Sequence, residues 1–382
     1  MNKYNFLSLL ILFYFAGHAQ DAPITYGKTL TIQSEILGEE RPIWVYTPEF
    51  HEFGADKLPV LYLLDGASHF GHVTAMVDYL SVAMRIPQFI VVGIPNTDRI
   101  RDFTPLHSLT GLDGKVDRAL FMTSGGGDQF LAFLKEELIP YIDDHYRTQP
   151  FRILEGHSLG GQFATYAMHQ APDLFQAMVI ISAGFYGANM NTLGGFSEYL
   201  HQSKPTTRMY ITVGAEPRIE PGVDSLVSIL SNADHHFDWT FKQYPKENHL
   251  SVTHRSMLEG LLHFYEGWYL EMDNPADLPT YEEIHRHFEA LSEKFGYDLS
   301  PPEQFLASLG FTHMELKNYG QAVDVFKRYT EDYPGSSGAY FCLGYAQVEN
   351  DQVDQAIQSF KRSVELNPNN EGSQSFLEEL RE

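Results

Sequence analysis

The chain is 382 residues long and 43% hydrophobic, with 50 acidic against 26 basic residues and a net charge of −24. That balance excludes nucleic acid and an anionic membrane surface as main partners, since both need a basic footprint. The single cysteine, Cys342, excludes an internal disulfide, so stability must come from a core, and the length allows one large domain plus a smaller one.

Lys3 is the only charge ahead of an apolar run at 6–15, which is followed by Gly17-His18-Ala19-Gln20. A positive start, a short apolar core and small residues at −3 and −1 predict a secretory signal at 1–19, cut after Ala19. The expected address is therefore the periplasm or the exterior. The run is about half the roughly 20 residues a bilayer span needs. No later run is longer, so no membrane insertion is expected, and no cysteine follows the run to carry a lipid.

Residues 29–36 and 42–46 alternate apolar and polar around Gly38-Glu39-Glu40, predicting an antiparallel hairpin. Runs at 59–64, 89–94, 151–154, 177–181 and 209–213 are continuously apolar, as suits parallel strands covered on both faces. An eighth strand is expected at 239–244. Between the runs lie amphipathic stretches such as 129–146, where Phe130, Phe133, Leu134, Leu138 and Ile142 share a face and Pro140 should kink or shorten the helix. The expectation is an α/β fold with a mostly parallel sheet at 20–272. Ser124-Gly125-Gly126-Gly127-Asp128 lacks the lysine of a phosphate loop and is expected to cap a helix or form a loop.

Asn274-Pro275 and Leu278-Pro279 then punctuate a boundary, with a linker and a capping helix expected at 273–302. Beyond it Leu309-Gly310 recurs as Leu343-Gly344, Ala322 as Ala356, Phe326 as Phe360 and Pro334 as Pro368, always 34 residues on. The period and residue types resemble the tetratricopeptide repeat, a helix–turn–helix unit. Two repeats and a C-terminal cap are expected at 303–382, all helical. They would hold a protein segment or self-associate in a concave groove, or serve as a structural appendage.

Gly156-His157-Ser158-Leu159-Gly160 follows the strand at 151–154 and precedes a helical run at 162–169. G-x-S-x-G in a strand–turn–helix setting is the nucleophile elbow of the α/β-hydrolase fold, where the serine sits on a strained turn that needs glycine neighbours. A serine hydroxyl needs a base to take its proton, and chain order in this fold runs serine, acid, histidine. His249, in the loop after the last strand, is the expected base. His254 and His263 fall within the following helix, and His235 and His236 precede the strand. The acid is expected in the loop after 209–213, with Glu216 first, Asp224 its rival and Glu220 third. The oxyanion donors are expected at the backbone N–H of Leu159 and of Ala67, the latter in Leu64-Asp65-Gly66-Ala67 after the 59–64 strand. No third histidine or carboxylate has metal-ligand spacing, so no metal is expected. Asp98, Arg99, Arg101 and Asp102 could line the substrate entrance or form a structural ion-pair cluster.

Tyr62-Leu63-Leu64-Asp65-Gly66, Gly156-His157-Ser158-Leu159-Gly160-Gly161 and Glu247-Asn248-His249 together resemble the esterase D-like Putative esterase family, over about residues 28–270. The stretch at 96–105 also looks like that family's segment after the fourth strand. The family includes siderophore, feruloyl and acetyl-xylan esterases and mycolyltransferases. The resemblance implies a cofactor-free Ser-His-acid mechanism through an acyl-enzyme. It points to a small-molecule or glycan ester, such as a siderophore lactone or an acylated carbohydrate. Acyl transfer, or a docking adaptor with a vestigial hydrolase, are the alternatives. The family pattern does not choose between Glu216 and Asp224.

Overall fold

The computed structural model describes residues 25–380 apart from 49–50, 52–53, 112–113, 186–189, 234–236 and 272–277. The signal at 1–19, the pair His235-His236 and the boundary at Asn274-Pro275 lie outside the described residues.

Eight strands form one sheet: β1 Lys28–Ser34, β2 Glu39–Tyr46, β3 Leu58–Leu63, β4 Ile90–Gly93, β5 Thr148–His157, β6 Ala177–Ile181, β7 Arg208–Val213 and β8 Trp239–Gln243. Their spatial order is β1-β2-β4-β3-β5-β6-β7-β8. The β1–β2 and β2–β4 pairs are antiparallel and the others parallel. The first turn is shifted from its expected place: Ser34 pairs with Glu39, so Glu39 and Glu40 are already in β2.

Nine helices belong to this layer system among the described residues: α1 Gly66–Val82, α2 Arg99–Phe103, α3 Arg118–Phe121, α4 Gly127–Phe133, α5 Ile139–His145, α6 Leu159–Gln170, α7 Asn191–Gln202, α8 Glu220–Ser231 and α9 Val252–Phe264. A π-turn at Leu134–Leu138 joins α4 to α5. The helix therefore does not stop at Pro140; the wider turn ahead of it absorbs the missing N–H. The glycine stretch caps α4, with Gly126 as its N-cap.

Strand periodicity divides the core. Val60, Tyr62, Leu154, Met178 and Ile180 face one side with α4–α8, while Leu61, Leu63, Ile153, Val179 and Ile181 face the other with α1 and α9. The second face is covered further by α10 Tyr281–Phe295. Phe295 meets Phe151 at 5.4 Å and Tyr265 at 5.2 Å, and Phe288 meets Trp268 at 5.2 Å. α10 opens on a capping box, Thr280 with Glu283, and closes on left-handed Gly296.

Two helix pairs follow, α11 Glu303–Glu315 with α12 Tyr319–Asp332 and α13 Ser337–Glu349 with α14 Val353–Leu366, and α15 Glu371–Glu379 closes the array. The recurring glycines let each pair close: a Cβ on Gly310 would lie 2.2 Å from the Phe326 ring, and one on Gly344 would lie 2.7 Å from the Phe360 ring. Gly310→Ala should therefore cost about 2 kcal/mol through overpacking. The check is a lower urea midpoint for the full chain.

The inner helices turn toward the sheet domain. Ala307, Phe311, Phe341 and Cys342 share a cavity of about 500 Å³ with Val82, Asp56 and Arg147. At its edge the Glu303 carboxylate accepts from Ala55 N (2.5 Å), Tyr329 Oη (2.8 Å) and Ser336 Oγ, and Glu303 N donates to Asp56 Oδ2 at 3.2 Å. Burial and the neighbouring Glu303 carboxylate push Asp56 up to about 7. The fold thus holds a proton that an unfolded aspartate releases near pH 4. That stabilisation is complete below about pH 4 and lost as pH rises through about 7. Asp56→Asn should flatten the fall in stability between pH 5 and 8, measured as urea midpoints of both proteins.

Candidate active site

Ser158 closes β5 and opens α6 with φ 60° and ψ −117°, a conformation that costs a non-glycine residue about 1–3 kcal/mol. The surroundings hold it there. Ser158 N donates to Ile181 O at 2.9 Å, and Ser158 O accepts from Gly184 N at 2.9 Å and Gln162 N at 3.2 Å. Of the motif's two glycines, Gly156 is a steric requirement, since a Cβ there would lie 2.2 Å from Gly160 O, whereas one on Gly160 would meet nothing nearer than 3.5 Å.

The Glu216 carboxylate follows β7 and is buried. Its Oε1 accepts from Ser182 Oγ at 2.6 Å and Gly214 N at 3.0 Å, and its Oε2 is hydrogen-bonded to His249 Nδ1. Burial raises the Glu216 pKa, but the bonds from His249, Ser182 and Gly214 outweigh it and hold the group below the usual glutamate range. The His249 side chain is 38% exposed, and its ring packs 4.5 Å from that of His157, the residue before Ser158. The structure thus brings Glu216 to His249. Glu220 accepts from Glu216 N at 2.7 Å and steadies its loop, while Asp224 lies exposed on α8. His254 pairs with His72 at 3.3 Å and His263 with Thr240 at 3.3 Å.

Leu159 N and Ala67 N stand in the first turns of α6 and α1 and have no acceptor among the described residues. Asp65, in the left-handed region at φ 53°, turns the chain into α1. Arg99 clamps this turn to the elbow: Nε and Nη2 bond the two Asp65 oxygens at 2.6 and 2.8 Å, and Nη2 also reaches His157 O at 3.2 Å. Burial raises the Asp65 pKa, but Arg99 and Asn96 overcome it and hold the carboxylate ionised at lower pH.

The remaining members of the 98–102 charge cluster are structural. Asp98 caps α2 through Arg101 N, and Asp102 binds Arg101 and the fully buried Arg41, at 2.8 and 2.7 Å. Three groups escaped the sequence reading: Ser182, His157 and the buried pair His69–Glu155, 3.0 Å apart. Ser182 directly follows an apolar strand at the sheet's C-terminal edge, which is the signal that could have found it. His157 is pushed down to about 3, by burial and then by His249 and His69, so it stays neutral. Among the described residues no group of three or more histidine, cysteine or carboxylate side chains could hold a metal.

A hydroxyl on a strained turn, an imidazole oriented by a buried carboxylate and two unpaired N–H groups at helix N-termini form a constellation suited to acyl transfer. Comparison with known proteins agrees in kind. The family model described as "Putative esterase" matches residues 34–258, and two tetratricopeptide-repeat models match 308–336 and 337–370. An uncharacterized Bacillus subtilis protein, YbbA, is 25% identical over 189 residues, which are 48% of this chain and 71% of that protein. The ferri-bacillibactin esterase BesA of Bacillus subtilis is 33% identical over 135 residues, 32% of this chain and 46% of that one. The crystal structure of an IroE-like serine hydrolase from Shewanella oneidensis aligns with a TM-score of 0.70 at 25% identity, covering 80% of this chain and 99% of the other.

Proposed function

Because the chain belongs to the Putative esterase family and is a carboxylic ester hydrolase, we propose that Ser158, His249 and Glu216 carry its reaction. The observation that carries this reading is the Glu216–His249 hydrogen bond, with the His249 ring 4.5 Å from that of His157, the residue before Ser158. Ser158 Oγ attacks the acyl carbon while His249 Nε2 takes its proton. The N–H groups of Leu159 and Ala67 hold the oxyanion. His249 then protonates the departing alcohol, and water, activated by the same imidazole, releases the acid. Glu216 keeps the Nδ1 proton in place and stabilises the imidazolium.

The substrate we propose is a siderophore lactone or an acylated carbohydrate, met outside the cytoplasm after removal of residues 1–19. Support for the first comes from the siderophore esterase among the relatives, and for export from the short apolar N-terminal run. A fluorophosphonate should label one peptide, the one containing Ser158, and stop hydrolysis of 4-nitrophenyl butyrate in step with labelling. Label at another residue, or continued turnover in the fully labelled protein, sinks the assignment. The unlabelled protein, incubated with a siderophore trilactone and with acetylated xylan, decides between the substrates by the acid released.

A further inference from the structure

Beside the nucleophile runs a cleft of about 850 Å³ whose lining is unlike the rest of the surface. Leu159, the residue after Ser158, is in its lining with Arg99, Lys115, Arg118 and Arg218, and Asp117 is the only carboxylate there among the described residues. Such a concentration of cations is unexpected on a chain of net charge −24. Three separate segments supply them: the start of α2, the 115–118 stretch leading into α3, and the loop that carries Glu216.

The cations differ in what they already hold. Arg99 is committed to Asp65. Asp117 caps α3, accepting from Leu120 N at 3.0 Å. Arg118 and Arg218 are exposed and make no ion pair among the described residues. Between these charges the lining is apolar, with Ile100, Val116, Leu120 and Phe121, and Val116 and Leu120 are 64% and 53% exposed.

We propose that Arg118 and Arg218, with Lys115, select esters that join an apolar body to an anionic group, and so set the substrate class of the Ser158 site. The inference rests on Ser158 being the nucleophile. A guanidinium matches a carboxylate or phosphate with two parallel hydrogen bonds. The protein's overall negative charge acts weakly here, since charges beyond about 8 Å are screened at physiological salt. Within the cleft the nearby cations dominate, and the exposed apolar side chains cover the carbon skeleton. Arg218 stands two residues after Glu216, so an anion bound there is anchored to the loop that orients the base.

The test uses the full-length protein and three probes. 4-Nitrophenyl butyrate is neutral, mono-4-nitrophenyl glutarate carries its charge on the acyl side, and 4-acetoxybenzoate carries it on the alcohol side. At least one anionic probe should exceed the neutral one in kcat/KM by tenfold or more at low salt, and that ratio should fall as NaCl is raised. In R118Q/R218Q the ratio should drop at least tenfold and lose its salt dependence, with partial recovery in R118K/R218K. A ratio of kcat/KM values is independent of how much of each variant folds. An unchanged ratio in the glutamine variant, or no preference for either anion in the parent, overturns the proposal. Turnover of the neutral probe surviving Ser158→Ala would instead overturn the reading of the site.

Discussion

Ser158→Ala should lower kcat for a short 4-nitrophenyl ester by about 10⁴- to 10⁶-fold, because a triad nucleophile acts as one unit with its base. What survives is the contribution of the oxyanion donors and of binding. Alanine also relieves the elbow of no strain, since it has the same Cβ as serine and the turn is imposed by Ile181, Gly184 and Gln162. The variant should therefore keep the parent's circular dichroism and urea midpoint while losing turnover. A loss of less than tenfold would mean that another residue is the nucleophile.

Glu216→Gln should cost about 10³- to 10⁴-fold in kcat with little change in KM. Oε1 of Glu216 receives two donors, Ser182 Oγ and Gly214 N, and Oε2 is bonded to His249 Nδ1. A glutamine satisfies the first two only by keeping its oxygen there, which turns its NH₂ toward His249. The imidazole must then accept at Nδ1 and carry its proton on Nε2, where it cannot take the one from Ser158. The pH dependence follows the same bonds. Glu216 has a depressed pKa, so its bonds stabilise the fold above the unfolded value near 4.3 and are lost as pH falls through the folded value. In the glutamine variant this part of the acid sensitivity should vanish, read as urea midpoints between pH 3 and 6. Asp224→Asn, on the outer face of α8, should leave kcat within about twofold; a larger loss would return Asp224 to contention.

The elbow was legible because its chemistry leaves few choices. Glycine at 156 and 161 meets a steric demand that local sequence cannot hide, and the strand and helix around Ser158 have clear periods. Chain order left His249, His254 and His263, and the loop position singled out His249, the histidine that the structure places against Glu216. The acid was legible only to its loop. Chain order does not tell a carboxylate buried under Ser182 from one exposed on the next helix. For the same reason the four charges at 98–102 could not be sorted in advance. Arg99 reaches Asp65 and lines the cleft, while Arg101 and Asp102 bind Glu39 and Arg41 from a strand some sixty residues earlier. Such pairings depend on which strands become neighbours. The 34-residue repeat was plain because each Gly–Phe pair must fit within one hairpin of helices. The mostly polar segment at 281–295 read as a linker and cap, yet its apolar stripe, Ile284, Phe288, Leu291 and Phe295, closes one face of the sheet.

That stripe has a consequence for how the chain can be dissected. One continuous apolar cluster runs from Leu61 and Val179 through Trp268 and Phe288 to Phe305, Phe326 and Ala346. The sheet domain and the repeats up to α13 are consequently not modules on a string but share one apolar core. Trimming the tail would not liberate a smaller esterase; it would strip the sheet of its roof and leave an aggregation-prone remnant. Inheritance meets the same constraint: a recombination event that exchanged these repeats for others would have to supply a matching underside.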